Sequence, residues 1–433
     1  MKKVAGLLKK ANVFFAAMFL LTQVNIPMPV TWAATGDRFE RGPFLNIGIP
    51  DGPRRVKREL PEASKFERVK AGPLLLHPLF TEETAYESNI LLSHEDPKDD
   101  VTFTERPGIV AEMQLGNHRI EGGYGMEIVN FVKDHEENAV NHLANLEAEL
   151  NFNDFQLSAS DAFEKSTSRV FSETSARDEL ILNTTQVKAR YDRPRWASEL
   201  GWTHNLVMHN VPDLDTNDYN EDIAAFLAGY KILPKTLLLG EFDWGTVYYG
   251  TNDDNPDQNY WQLLGGLRGE PTKYFETTTK VGFQGRRLED VPGEGRQTDF
   301  YGLVVNADMV YRPTDTDSIN AGYVRTIRTS TFQLSGWYRE DQIFASYRRQ
   351  IAKNWYVGPQ ISWQLNDYPE GATVGGETRR RDDHFWVTNI GLQYKIREWI
   401  WAGLKYNFQA RDSNFDTFDY TNNRVSVDLS VRY

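Results

Sequence analysis

The chain has 433 residues, a net charge of -13 and no cysteine. Without cysteine there is no disulfide framework and no thiolate metal or redox site, and an acidic chain is a poor partner for nucleic acid phosphates. The mean hydropathy of -0.55 suits a soluble protein, but it equally suits a membrane barrel whose strands show lipid only every second residue.

The N-terminus opens with Lys2 and Lys3, continues into an apolar run from Val13 to Leu21, and reaches Thr31-Trp32-Ala33. A basic start, a short apolar stretch and small residues at a cleavage site describe a secretory signal peptide over residues 1–33, cut after Ala33 or Ala34. The run is too short for a spanning helix. Residues 34–73 lack periodicity and are rich in proline and glycine (Gly42-Pro43, Gly52-Pro53, Gly72-Pro73), with a basic patch from Arg54 to Arg58. They are expected to form an extended periplasmic arm, either a flexible tail or a docking segment.

From Leu74 one unit repeats: a strand-like run, a short turn, a second run and a longer polar loop. Short turns fall at Gly116-Asn117, Asp192-Arg193-Pro194, Leu233-Pro234-Lys235, Pro313-Thr314-Asp315, Ala352-Lys353-Asn354 and Arg397-Glu398. Acid- and amide-rich loops fall at Pro212–Asp218, Thr251–Asn259, Pro369–Arg381 and Asp412–Asn422. This alternation predicts an all-β fold, a single antiparallel transmembrane β-barrel over residues 74–433 with about 18 strands (16 to 18). The expected strand starts are Leu74, Val101, His118, Glu137, Phe155, Arg177, Arg195, Glu221, Thr236, Tyr260, Phe275, Thr298, Ser318, Tyr338, Trp355, Asp383, Ile400 and Asn422. The pattern is weaker in the N-terminal half. A soluble sandwich has strands of about five or six residues, roughly half the length of these runs.

The period of two is clearest at the end. Val425, Val427, Leu429, Val431 and Tyr433 fall on one face of the last strand, as an outer-membrane assembly signal does, and Arg424, Ser426, Asp428, Ser430 and Arg432 fall on the other. The run from Ile400 sends Ala402, Leu404, Tyr406 and Phe408 outward. Tyr301 and Tyr311 bracket another apolar face, where interfacial girdles lie. The same register predicts pore-lining side chains at Glu241, Asp243, Arg268, Lys280, Arg286, Asp308, Arg348, Lys405, Arg411, Arg424 and Asp428. Cations outnumber acids among them. Two readings stay open: a basic patch that guides an anionic polymer or sugar acid, or ion pairs that stiffen the wall. Tyr356, Phe344 and Trp401 also point inward, as sugar-stacking faces or as packing.

Several segments resemble a known family. They are Tyr86-Glu87-Ser88-Asn89-Ile90, the run Gly229 to Thr236, Gly266-Leu267-Arg268-Gly269, Lys280-Val281-Gly282-Phe283, Val310 to Thr314, Arg411 to Phe415 and Phe418 to Arg424. Together they look like the outer-membrane β-barrel porins found with exopolysaccharide export systems. The resemblance covers most of Leu74 to Tyr433 and is specific from Gly229 onward. It implies an outer-membrane barrel linked to polysaccharide secretion and brings no catalytic motif.

No protease, hydrolase or nucleotide-binding motif is present. His204 and His209, near Ser198 and Asn205, are the candidates for a barrel hydrolase. Asp213 to Asn217 opens like a calcium loop but lacks its glycine and distal glutamate, and Asp253-Asp254 and Asp412 to Asp419 are similar acid clusters. No catalytic, cofactor or metal residue is therefore assigned. The expected function is a porin-like channel for exopolysaccharide export or anionic saccharides; the alternatives are a structural or adhesive surface barrel with a filled lumen and a barrel-embedded hydrolase. The expected partners are outer-membrane lipid and lipopolysaccharide, the barrel-assembly machinery and periplasmic polysaccharide-export components.

Overall fold

The computed structural model describes residues 69–167, 179–209, 217–250, 255–290, 298–332 and 335–432. The expected signal peptide, most of the arm, the acids Asp213, Asp215, Asp253 and Asp254, and Tyr433 lie outside these residues.

The chain is a closed antiparallel barrel of 18 strands. A short strand β1 (Val69–Ala71) precedes the wall. The wall then runs β2 (Leu74–Glu87), β3 (Asp100–Leu115), β4 (His118–Phe131), β5 (Ala139–Phe152), β6 (Phe155–Ser166) and β7 (Leu180–Asp192). It continues through β8 (Trp196–His209), β9 (Tyr219–Leu233), β10 (Thr236–Tyr249), β11 (Gln258–Thr272), β12 (Phe275–Leu288) and β13 (Phe300–Thr314). The last six are β14 (Asp317–Phe332), β15 (Ser335–Ala352), β16 (Trp355–Val374), β17 (Glu377–Arg397), β18 (Ile400–Ser413) and β19 (Tyr420–Arg432). Each wall strand pairs with its sequence neighbour, and β19 closes on β2 from Arg424↔Glu87 to Arg432↔Leu79. No helix among the described residues is long and apolar enough to cross a membrane; the crossing is made by strands. The barrel strands span 12 to 21 residues, against about 9–11 needed for a tilted strand to cross.

Seven of the expected starts coincide with the observed ones, and most of the rest fall within three residues, because turn residues and the period of two are local signals. The exception is Pro369–Arg381. It is not a loop. β16 and β17 continue through it as a hairpin, pairing Gly371↔Arg380 and Val374↔Glu377. Gly375 and Gly376 turn the chain with φ of 61° and 87°. Two consecutive positive φ values are what a two-residue primed turn demands, and glycine meets them without strain. The charged run from Glu377 to Arg381 looked loop-like by composition, whereas the Gly-Gly pair sets the structure.

The faces divide as alternation requires. Leu263 (58% exposed), Phe283 (61%) and Val427 (57%) point outward, and Tyr301 and Tyr311 share that outward face. Such exposure of large apolar side chains is what a lipid-facing belt presents. On β2–β9 this belt is interrupted. Glu82 stands opposite Glu105 on the outer face. One outward register row reads Asp161↔Thr185↔His204↔Asp222. These polar groups explain why hydrophobic alternation is faint in the N-terminal half.

Glycine shapes one corner of the wall. A Cβ on Gly266 would lie 2.0 Å from the Thr279 carbonyl oxygen, and one on Gly282 1.8 Å from that of Leu263. Backbone cannot give way as a side chain can, so β11 and β12 approach this closely only with glycine. Gly282→Ala is expected to pry the two strands apart and destabilise the barrel by about 1–3 kcal/mol, as overpacking does. Urea titration of the folded fraction by gel mobility checks this; an unchanged midpoint would show that the corner relaxes freely.

Candidate functional site: the inner wall

The inner face is polar and densely cross-linked by charge. At the seam, the buried Glu83 carboxylate accepts from Arg424 at 2.7 Å and Arg106 at 3.4 Å, with Lys405 at 3.8 Å. Arg106 also bonds Glu127 at 2.8 Å, and Lys405 pairs with Asp428 at 2.9 Å. Five strands are thus tied across the closure. On the next sector, the Arg268 guanidinium bonds Glu199, which also pairs with Arg190 at 3.2 Å. Lys280 donates to both Glu241 oxygens at 2.7 Å, and both side chains are 1% exposed. Asp243, on the same face as Glu241, accepts from the Gln262 amide.

A third cluster fills the loop end. Glu221 accepts from the Tyr260 hydroxyl at 2.9 Å and the Asn205 amide at 3.0 Å. Arg286 lies 4.7 Å over the Tyr260 ring and donates to Gln258 and Thr329. Arg328 pairs with Glu340 at 2.9 Å. A fourth cluster, on β16–β19, holds Arg381 against Asp383 at 2.7 Å and 3.8 Å over the Phe418 ring. Beside it Arg411 donates to the Phe418 carbonyl and lies 5.1 Å over Tyr420. Charge-assisted bonds of this kind offset the cost of holding ions away from bulk water.

The third cluster owes its burial to a distortion of the wall. β13 pairs with β14 only as far as Val305↔Arg325, although β14 runs on to Phe332. Above that point the β14–β15 hairpin leaves β13 and leans over the inner faces of β11 and β12. The Gln258 amide donates to the Gly336 carbonyl at 2.8 Å, and the Arg286 guanidinium reaches Thr329 at 3.2 Å. Trp337 anchors the displaced hairpin, donating to the Thr298 carbonyl at 2.7 Å and packing edge-on against Phe300. The hairpin narrows the loop-end mouth from within the wall itself.

The eleven candidate pore-lining positions can now be placed. Glu241, Asp243, Arg268, Lys280, Arg286, Arg411, Arg424 and Asp428 are buried on the inner face; Asp308, Arg348 and Lys405 are half-buried there. Most of the cations are not surplus. Lys280 and Lys405 pair with Glu241 and Asp428, whereas the acids of Arg424 and Arg268, Glu83 on β2 and Glu199 on β8, sit on strands where the sequence reading expected no pore-lining residue. Glu83, Arg106, Glu199, Glu221, Arg328, Glu340 and Arg381 all escaped that reading, although each shares the inward parity of its strand. Phe344 packs across Gly322. Val425, Val427 and Leu429 lie exposed on the outer face of β19.

The histidines do not converge. His204 lies on the outer face, where its imidazole and the Trp202 indole both reach one Asp222 oxygen at 3.1 Å. Asn205 points the other way, into the Glu221 cluster. His209 bonds Asp218 at 3.0 Å at the loop end. Among the described residues no group of three or more His, Asp or Glu is arranged to hold a metal ion.

Residues 182–433 match the family described as "Putative beta-barrel porin 2". No curated protein matches the chain. Among solved structures, OpdK, an outer membrane protein of Pseudomonas aeruginosa, is 10% identical with a TM-score of 0.46; the alignment covers 83% of this chain and 99% of that one. A protein described as a bacterial polysaccharide outer membrane secretin is 13% identical with a TM-score of 0.34, covering 82% and 98%. The FrpB iron transporter of Neisseria meningitidis is 9% identical with a TM-score of 0.41; 78% of this chain aligns, spanning 62% of that one. These likenesses are of fold alone.

Proposed function

The chain belongs to this family of outer-membrane beta-barrel porins, and from that premise we propose that it is a channel for anionic saccharides, serving exopolysaccharide export. The observation that carries the reading is the contrast between faces. The outer face presents an apolar belt, and the inner face carries hydrogen-bonding side chains on every strand. A wall of that kind conducts water and hydrated solutes across a bilayer. Short turns conventionally mark the periplasmic end, so a periplasmic export component would deliver substrate to the turn end. Lipopolysaccharide would surround the loop end, and the barrel-assembly machinery would insert the chain.

Refolded protein in a planar bilayer is expected to give discrete ion-conducting steps; their absence would overturn the channel reading. Selectivity is not expected to follow Lys280, whose ammonium is engaged by Glu241. The leaning β14–β15 hairpin favours a second reading, a surface barrel with a filled lumen, and that reading predicts no conductance. Hydrolysis is disfavoured because His204 and Asn205 face opposite sides of the wall.

A further inference from the structure

Building on the channel reading, we infer that the inner wall near the turn end binds an acidic saccharide, through Arg348, Tyr356, Trp401 and Lys395. These four side chains come from four successive strands, β15 to β18. The Tyr356 and Trp401 rings lie 5.4 Å apart. The Arg348 guanidinium stands 5.3 Å over Tyr356, and the Lys395 ammonium 5.9 Å over Trp401. The contacts run from one cation through two rings to a second cation.

This patch differs from the rest of the inner face. Elsewhere the cations are largely held by carboxylates. Among the described residues, no carboxylate lies within ion-pair distance of Arg348 or Lys395. Asp428, on nearby β19, is engaged by Lys405. Arg348 and Lys395 rest on aromatic faces, which leaves donors for a ligand. Beside the rings, Gly358 pairs with Gly391 on the inward side of β16 and β17. Just above runs a row of neutral hydrogen-bonding side chains in unbroken register, Asn320↔Ser346↔Gln360↔Asn389↔Asn407.

Each part fits one feature of an acidic sugar. A pyranose has an apolar C–H face that lies against an aromatic ring. Its hydroxyls suit amides, which both donate and accept. A carboxylate on the sugar suits a guanidinium, which offers paired donors in one plane. A neutral glycan would use the rings and amides but leave the cations without an anion. A small inorganic anion would use the cations but not the rings. The combination selects a carboxylated oligosaccharide entering from the turn end.

The test uses the refolded full-length chain in a planar bilayer, with tetragalacturonate as probe and maltotetraose as its uncharged counterpart. Tetragalacturonate is expected to interrupt the open-channel current, and less so as salt is raised. Arg348→Gln should shorten each acidic blockade about tenfold and leave maltotetraose unaffected. Trp401→Ala should shorten both about tenfold, and Trp401→Phe, which keeps a ring, should restore most of the loss. Blockades unchanged in Arg348→Gln and Trp401→Ala, with conductance intact, would overturn the site and leave the channel standing. If the barrel does not conduct, calorimetric titration of tetragalacturonate into the protein in micelles decides. Binding that Arg348→Gln weakens about tenfold upholds the site without the channel, and no binding rejects the site.

Discussion

Lys280→Met is expected to destabilise the barrel by about 3–5 kcal/mol, the usual consequence of removing one partner from a buried ion pair. Both Glu241 oxygens are satisfied by the Lys280 ammonium, and neither side chain has appreciable access to solvent. Asp243 points the same way two residues on and holds the Gln262 amide itself, so the methionine variant would strip Glu241 of its ammonium beside a second carboxyl. The double variant Glu241→Gln with Lys280→Met should recover most of the loss, because it removes the stranded charge along with its partner. Urea unfolding in vesicles measures both. Equal destabilisation by the single and double variants would show that packing, not charge, holds this part of the wall.

Removing residues 326–340 and joining Arg325 to Asp341, its cross-strand partner, through an Asn-Gly turn is expected to raise single-channel conductance roughly two- to threefold. A barrel of about 18 strands is wide enough for an aqueous path, so what projects into it governs flow. Here the projecting part is the top of β14–β15, which has left β13 and lies against Gln258 and Arg286. Conductance that is indifferent to the deletion would place the narrowest point elsewhere.

The sequence carried the strand ladder well because its signals are local. Alternation such as Val425, Val427, Leu429 needs only neighbours, and a turn such as Gly116-Asn117 needs only itself. What it could not carry depends on distant strands. Lys280 and Glu241 are 39 residues apart and two strands apart in the sheet, so a register count finds two inward charges without showing that they meet. The separation of β14 from β13 leaves only a local trace, the polar Arg325 and Thr329 at outward-parity positions of β14, and that trace does not say which strands the hairpin leans on. The faint N-terminal pattern has a definite cause in Glu82, Glu105, Asp161, His204 and Asp222, which occupy outward positions where apolar residues would have announced a strand. For the candidate saccharide site, the inward direction of Arg348, Tyr356 and Trp401 was readable. That Lys395 completes the stack, and that most other cations are already paired, was not.

The seam has a consequence for the order in which the barrel forms. Each other join links strands that follow one another in the chain, whereas Thr81 meets Ser430 across 349 residues. Loop-closure entropy grows with the logarithm of length, so closing this join costs about 3 kcal/mol more than closing a local hairpin. The sheet therefore grows hairpin by hairpin and shuts last, and until then the β2 edge is an open template. β3 covers one edge of β2 along its whole length, so β1 and β19 must share the other. β1 takes Leu74–Leu76 and β19 takes Leu79–Glu87. With Gly72 turning the chain back at a φ of 66°, β1 reaches its place by a local turn, which costs less closure entropy than bringing in β19. The edge left to the last strand is therefore bounded at its lower end by β1, and the observed register of β19 stops at Leu79, just short of it.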